Sequence, residues 1–156
     1  MRRLLGALLV VVVGLATVVG AVVLLQSRDD AEVGGDGGGP GERVEARCPE
    51  RRESIARDAR PLSEHQIAGA LAAGNVVLRY PGARPPAALR ELQEELSGPY
   101  DAELALAGES VILAGGGEGV EALAWGRQLE ARSPDDPQLR AFAEAWLGER
   151  PEKPCS

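Results

Sequence analysis

A run of uncharged, apolar residues near the start of the chain constrains the sequence most. It extends from Leu4 to Leu25 and directly follows Met1-Arg2-Arg3. About 20 apolar residues are enough for a helix to cross the hydrocarbon core of a bilayer, because each residue adds about 1.5 Å of length. A helix also satisfies its own backbone hydrogen bonds in lipid. The run therefore predicts a transmembrane helix.

A cleaved secretory signal is the alternative to an anchor. Such signals carry an apolar stretch of about 7–15 residues that ends in a small-x-small cleavage site. The run here is longer, and Gln26-Ser27-Arg28 follow it without an Ala-x-Ala-like site. We therefore expect a signal-anchor over residues 1–25. Because Arg2 and Arg3 precede the helix, we expect a cytoplasmic N-terminus and an extracytoplasmic remainder at the cell membrane.

Two further segments are expected outside the membrane. Residues 26–47 contain the stretch Gly34-Gly35-Asp36-Gly37-Gly38-Gly39-Pro40-Gly41, which has no apolar periodicity and predicts a flexible tether. No Lys-Ser or Lys-Thr pair follows these glycines, so they do not form a P-loop. Residues 48–156 contain all the aromatic residues and are expected to form one small extracytoplasmic domain.

The charge balance excludes one class of partner. The chain carries 24 acidic and 17 basic residues, for a formal net charge of −7. Nucleic-acid-binding proteins neutralise phosphates with an excess of Lys and Arg. We therefore expect no nucleic acid partner. The expected partners are the membrane, contacted through the N-terminal helix, and a protein of the cell envelope.

Cys48 and Cys155 are the only cysteines, and they open and nearly close the expected domain. Disulfides persist in oxidising compartments outside the cytoplasm. We therefore expect a structural bond between them, with two free thiols as the alternative. Their wide spacing does not resemble the Cys-x-x-Cys pattern of redox-active pairs.

Helical and alternating spacings predict the elements of this domain. Ser63 and Gln66 form a capping-box pattern before a helix that should end at Gly74. Residues 75–80 alternate as in a strand, with one face formed by Val76, Leu78 and Tyr80. A second helix should open at residues 85–86 and end at residues 98–99, and the last should start at residues 135–137.

Residues 110–130 are expected to form a β-hairpin. Its first strand is residues 110–114, its turn is the glycine-rich stretch 115–119, and residues 120–130 return as one strand. Leu123, Trp125 and Leu129 should share one face of that strand. A short strand over residues 102–107 is a further expectation. The whole pattern predicts an α+β fold, with a small antiparallel or mixed sheet and helices packed on it.

Three segments resemble a bacterial family, domain-of-unknown-function family 3105. They are Gly74-Asn75-Val76-Val77-Leu78-Arg79-Tyr80, Ala124-Trp125-Gly126-Arg127-Gln128-Leu129, and residues 142–152, which read Phe-Ala-Glu-Ala-Trp-Leu-Gly-Glu-Arg-Pro-Glu. The resemblance covers about half of the chain and implies a membrane-anchored, extracytoplasmic protein without an assigned activity. The family's histidines before the first strand are missing here, because residues 69–74 read Gly-Ala-Leu-Ala-Ala-Gly.

No pattern for a metal, a cofactor or catalysis is found. His65 is the only histidine, and a zinc site needs three or four converging ligands. The serines lack a Gly-x-Ser-x-Gly setting, and no second histidine is present as a general base. We therefore expect no metal site, no cofactor-binding residue and no catalytic residue, and we expect that the protein is not an enzyme.

Aromatic residues supply the candidate interaction surface. Tryptophan is over-represented among interface hot spots. Tyr80, Trp125 and Gly126 are the candidate residues, although the positions of Trp125 and Trp146 on apolar stripes favour burial of both tryptophans in the core. The leading hypothesis is a non-catalytic protein-interaction or envelope-associated module. The second hypothesis is a small-ligand-binding domain with a pocket near Tyr80, Trp125 or Arg79.

Overall fold

The computed structural model describes residues 39–51 and 53–155. The predicted anchor over residues 1–25 and residues 26–38 of the predicted tether lie outside the described residues, as do Arg52 and Ser156. Among the described residues, no helix combines the length and the apolar character that crossing a membrane requires.

Six strands form one mixed sheet. They are β1 (Glu42–Arg43), β2 (Arg60–Pro61), β3 (Val76–Tyr80), β4 (Val111–Gly115), β5 (Val120–Ala124) and β6 (Arg127–Ala131). Their order across the sheet is β1-β6-β5-β3-β4-β2. The β2–β4 and β3–β4 pairs are parallel, and the other three pairs are antiparallel. Two-residue strands lie at both edges, and such short edges limit pairing with other chains.

Within the described residues, four helices cover the sheet. They are α1 (Glu64–Ala73), α2 (Ala87–Ser97), α3 (Ala102–Ala107) and α4 (Pro137–Trp146). The capping box of Ser63 and Gln66 is present at α1, and Gly74 ends that helix, as predicted. Pro86 precedes α2, and Asp136 caps α4. The expected α+β fold is confirmed, with a mixed sheet.

Alternate side chains of β3 reach two separate cores. Val76, Leu78 and Tyr80 face α2 and α4, as the alternation predicted, and pack with Leu89 and Phe142. Val77 faces the opposite side, where Ile55, Ala70, Ala105 and Ile112 form a second core with α1 and α3. All five residues of β4 are buried. A strand covered on both faces is apolar throughout, which is the usual pattern in parallel sheets.

The expected hairpin between β4 and β5 is wrong. β3 lies between these two strands, and it pairs with β4 in parallel and with β5 antiparallel. The glycine-rich loop instead passes over the end of β3, where the Gly117 amide donates to the carbonyl oxygen of Tyr80 (3.0 Å). A Cβ on Gly117 would lie 3.0 Å from the carbonyl oxygen of Gly119. The glycines therefore allow a close crossover rather than a hairpin turn.

The single strand expected over residues 120–130 is also wrong. The chain turns at Trp125-Gly126. The residues on either side form two strands, β5 and β6, which pair as a hairpin with Ala124 opposite Arg127. Gly126 has a φ of +68°, which favours glycine in a tight turn. Leu123 consequently packs on the α1 side of the sheet, whereas Leu129 packs on the α4 side.

Residues 102–107 form helix α3 rather than the expected strand. The Asp101 carboxylate accepts hydrogen bonds from the amides of Glu103 (2.7 Å) and Leu104 (3.1 Å). An aspartate at this position stabilises the first turn of a helix. Alanine, leucine and glutamate also favour helix over strand. The cap therefore decides the structure of this short segment.

The N-terminal and C-terminal segments of the described chain both attach to the domain. Cys48 and Cys155 form the predicted disulfide, with a Cα–Cα distance of 5.4 Å. The compact unit begins at Gly39, within the predicted tether. The indole nitrogen of Trp146 donates to the carbonyl oxygen of Pro40 (2.8 Å), and Glu42–Arg43 pairs with β6.

Candidate functional site

A cleft of about 570 Å³ lies beside helices α1 and α3. Small residues of α1 and α3 line it, namely Gly69, Ala70, Ala72, Ala73, Ala102 and Ala105. Segments on either side of the disulfide, which include Pro49, Ile55, Pro151 and Cys155, also line it. Leu106 lines the cleft as well and is 77% exposed. The cleft is therefore mainly apolar and open to solvent.

Two neutral polar side chains of the cleft, those of Tyr100 and Gln66, form hydrogen bonds within the domain. The Tyr100 hydroxyl donates to the carbonyl oxygen of Ile55 (2.5 Å), and Gln66 Nε2 donates to that of Ser54 (3.0 Å). Burial raises the pKa of Tyr100, with a further contribution from Asp58 and Asp101. Because its pKa is raised above that of an ordinary phenol, Tyr100 is poorly suited to act as an acid or base near neutral pH.

Asn75 forms the buried end of the cleft and connects three elements. Its side-chain amide donates to the carbonyl oxygens of Ala70 (3.0 Å) and Ala105 (2.7 Å). Its side-chain oxygen accepts from the amide of Ser110 (3.0 Å). Asn75 therefore links α1 and α3 to the start of β4, which is a structural role.

Two charged residues line the cleft, and both are engaged by the domain. Glu53 accepts from the Ser63 hydroxyl (2.8 Å) and pairs with Arg51 (2.7 Å). Arg150 donates to the carbonyl oxygen of Ala107, where α3 ends. A cation near a helix C-terminus is stabilised by the helix dipole, although the effect is smaller in a short helix.

Tyr80 is not part of a surface, although the sequence made it a candidate. It is fully buried in the core beneath α2 and α4. Its hydroxyl is the one buried side-chain polar atom without a hydrogen-bond partner among the described residues. Burial raises its pKa, and the nearby Asp58 carboxylate raises it further. Tyr80 therefore packs as a core residue.

Arg79, the third residue near the expected pocket, is paired with a neighbouring strand. Its Nη1 lies 2.6 Å from Glu121 Oε1, and Gln128 Nε2 donates to Glu121 Oε2 (2.9 Å). These side chains form a polar row across β3, β5 and β6. Tyr80 and Arg79 do not line the cleft beside α1 and α3, and of the three residues named for the expected pocket Trp125 lines a recess.

Trp125 and Gly126 do lie at the surface, in the turn between β5 and β6. Both are half-buried and line a recess of about 330 Å³. The recess also contains Arg43, Val44, Arg127, Trp146, Glu149 and Arg150. Both tryptophans of the sequence thus belong to one surface feature. We refer to these eight residues as the tryptophan recess.

The Arg127 guanidinium lies over the ring of Trp146, 4.6 Å from its centroid. Such a cation–π contact is worth about 0.5–2 kcal/mol, depending on exposure. Gly39 packs against the same ring, since a Cβ at that position would lie 2.3 Å from a ring carbon. The N-terminal segment and β6 therefore hold Trp146 in place.

The sequence analysis missed a buried polar network behind α2. Gln93 is fully buried, and its Nε2 donates to Asp58 (2.7 Å) and to the carbonyl oxygen of Val111 (2.7 Å). Arg90 donates to Gln93 Oε1 (2.7 Å). The i, i+3 spacing of Arg90 and Gln93 was the only sequence signal of this network. It indicates that these two side chains are neighbours on a helix, but it does not identify Asp58 as their partner. The network connects α2 and β4 to the segment before β2.

Metal ligands do not cluster in the described part of the chain. No group of three or more His, Cys, Asp or Glu residues there is arranged to hold a metal ion. His65 lies in the first turn of α1.

Comparisons with known proteins return no match. No family model, no curated protein and no solved structure matches this chain. The resemblance to domain-of-unknown-function family 3105 therefore stays a prediction. The cleft and the tryptophan recess are the candidate sites of the described residues.

Proposed function

We propose that this protein is a single-pass, membrane-anchored interaction module of the cell envelope whose extracytoplasmic domain binds a partner protein. The observation that carries the proposal is the tryptophan recess, where Trp125 is half-buried at the tip of a hairpin. Aromatic residues and arginine are enriched at protein interfaces. They also contribute most of the binding energy at hot spots.

Two features support a preformed binding surface. Trp125 lies in a two-residue turn between paired strands, which restricts its backbone. Arg127 is 9% exposed and packs over the Trp146 ring. A surface that is ordered before binding loses less conformational entropy when the partner arrives.

The proposal is non-catalytic. The side chains of Tyr100, Gln66 and Asn75, which line the cleft, form hydrogen bonds within the domain. Catalysis would require a titratable group placed to transfer a proton or to attack a substrate. Binding places no such requirement on these side chains.

Photo-crosslinking in native membranes tests the proposal. In one variant of the tagged full-length protein, a photoreactive phenylalanine analogue replaces Trp125. In the matched control variant, the same analogue replaces Arg84. Arg84 is exposed in a loop and lies outside the recess. We expect one reproducible envelope protein to be captured from position 125 and not from position 84. Capture from both positions alike, or from neither, would contradict the proposal.

A small-ligand-binding domain is the second candidate, and the cleft favours it. Its volume of about 570 Å³ falls within the range of about 300–1,000 Å³ that ligand pockets occupy. Native mass spectrometry of the full-length protein tests for a bound ligand. Gly69→Leu should fill the cleft, because a Cβ at Gly69 meets no atom within 4 Å. Ala87→Leu introduces the same side chain at an exposed position of α2 and serves as the control.

A further inference from the structure

We propose that the tryptophan recess recognises an acidic segment of the partner protein. This inference rests on the proposed function and adds the chemistry of the partner. The segment would present carboxylates to Arg43, Arg127 and Arg150, and an apolar portion to Trp125.

The charge of the recess is opposite to that of the whole chain. Three arginines and one glutamate line it, whereas the chain has a formal net charge of −7. A concave site lined by one sign of charge focuses its field toward a ligand of opposite charge. The local excess of positive charge therefore favours a partner that carries carboxylates.

Arginine is suited to this recognition by its shape. Its planar guanidinium can donate two parallel hydrogen bonds to one carboxylate. Arg43 and Arg150 are exposed, whereas Arg127 packs over Trp146 beneath the surface. The recess thus combines two exposed arginines, of which Arg150 also donates to the carbonyl oxygen of Ala107, with a third that packs on a tryptophan ring. Glu149 lies in the same recess and reduces its net positive charge.

Trp125 and Val44 add an apolar part to the same recess. Val44 is 37% exposed and follows β1, and its amide donates to the carbonyl oxygen of Gly126 (3.1 Å). This hydrogen bond holds the hairpin tip against the N-terminal segment. An inorganic anion would use only the arginines, whereas an acidic peptide would also bury apolar area on Trp125 and Val44. The combination favours a peptide.

Tryptophan fluorescence of the full-length protein in uncharged detergent micelles tests the proposal directly. Both tryptophans of the chain line the recess, so the signal reports on this site. The probe is a hexapeptide of five glutamates and one leucine, and its counterpart carries glutamines. We expect the acidic peptide to change the emission, with binding at least about tenfold tighter than for the glutamine peptide. Higher ionic strength should weaken that binding.

Two charge reversals separate recognition by the recess from general attraction. Arg43→Glu should weaken binding of the acidic peptide by about tenfold or more, since it replaces an attraction by a repulsion. Arg84→Glu makes the same change at an exposed position outside the recess and should leave binding within about twofold. Equal losses in the two variants, or equal binding of the two peptides, would overturn the proposal.

Inorganic phosphate and the crosslinking assay supply the remaining outcomes. If phosphate alone binds as tightly as the acidic peptide, the recess is a site for small anions and the inference is wrong. If Arg43→Glu leaves the capture at position 125 intact, the interaction module stands and acidic recognition is overturned. If position 125 of the wild-type background captures nothing, the proposed function itself fails.

Discussion

Gly108 faces the carbonyl oxygen of Ala73 so closely that a Cβ added to Gly108 would lie 1.8 Å from that oxygen. Gly108 ends α3 with a φ of +77°, and Ala73 is the last residue of α1. The ends of the two helices therefore meet at this contact. Gly108→Ala should lower the free energy of unfolding by about 3 kcal/mol or more, because it adds a steric overlap to a strained backbone. Urea denaturation of the full-length protein in micelles measures this loss.

Gly69→Ala is the matched control for this prediction. Gly69 lies inside α1 and has open space around its missing Cβ. Alanine is more favourable than glycine within a helix by about 0.5–1 kcal/mol. We therefore expect Gly69→Ala to be neutral or slightly stabilising. If both substitutions had the same effect, the contact between Gly108 and Ala73 would not govern helix packing.

Asn75 is the second position at which a small change should have a large effect. Asn75→Ala removes three buried hydrogen bonds and leaves the amide of Ser110 without its side-chain acceptor. A buried polar group that loses its partner costs about 1–3 kcal/mol. We expect a loss of about 3 kcal/mol in the free energy of unfolding. Gln138→Ala, at an exposed position of α4, should change it by less than about 0.5 kcal/mol.

Local signals in the sequence predicted the elements that depend on local physics. The capping box of Ser63 and Gln66 and the cap of Asp136 set where helices begin, and Gly74 sets where α1 ends. Each of these effects acts within one helical turn. The alternation over Val76, Leu78 and Tyr80 also correctly assigned one face of β3.

The pairing of strands could not be predicted in the same way. β4 and β5 are close in sequence, yet β3 lies between them. A glycine-rich stretch fits a hairpin turn and a crossover equally well, and only the tertiary structure decides between them. Trp125 was assigned to a strand because its spacing from Leu123 and Leu129 fits one, although Gly126 makes a tight turn there.

The candidate sites depend even more on long-range contacts. The cleft joins residues near the disulfide to α1 and α3, and the recess joins Arg43 to Trp125 and Arg150. Sequence reasoning identified Trp125 and Gly126 as surface candidates but included the buried Tyr80. The alternation had already assigned Tyr80 to a core face, which was the signal against an exposed position.

The disulfide should be a major source of stability. Cys48 and Cys155 are separated by 107 residues, and a closed loop of about that length contributes about 4.7 kcal/mol in the chain-entropy model. The Cys48→Ser/Cys155→Ser double variant should therefore lower the free energy of unfolding by several kcal/mol, which urea denaturation measures. A reducing agent should destabilise the wild-type protein and leave the double variant unchanged. Equal sensitivity of the two proteins to reductant would contradict this assignment.

Glu53 should make the stability of the cleft wall depend on pH. Hydrogen bonding from the Ser63 hydroxyl lowers the pKa of Glu53 below its ordinary value of 4.5, and Arg51 also lowers it. The charged carboxylate therefore stabilises the fold above pH 4.5, and this stabilisation disappears as the pH falls through the lower pKa of the folded state. Glu53→Gln keeps an acceptor for Ser63 but carries no charge.

Thermal unfolding followed by circular dichroism should show the wild type more stable than the Glu53→Gln variant at neutral pH, with the difference shrinking below pH 4.5. When both proteins also carry Ser63→Ala, the pH-dependent part of their difference in stability should be smaller. The Ser63 hydrogen bond, which is the largest cause of the lowered pKa of Glu53, is then gone. A difference that stays constant from neutral pH to strong acid would show that the charge of Glu53 does not stabilise this wall.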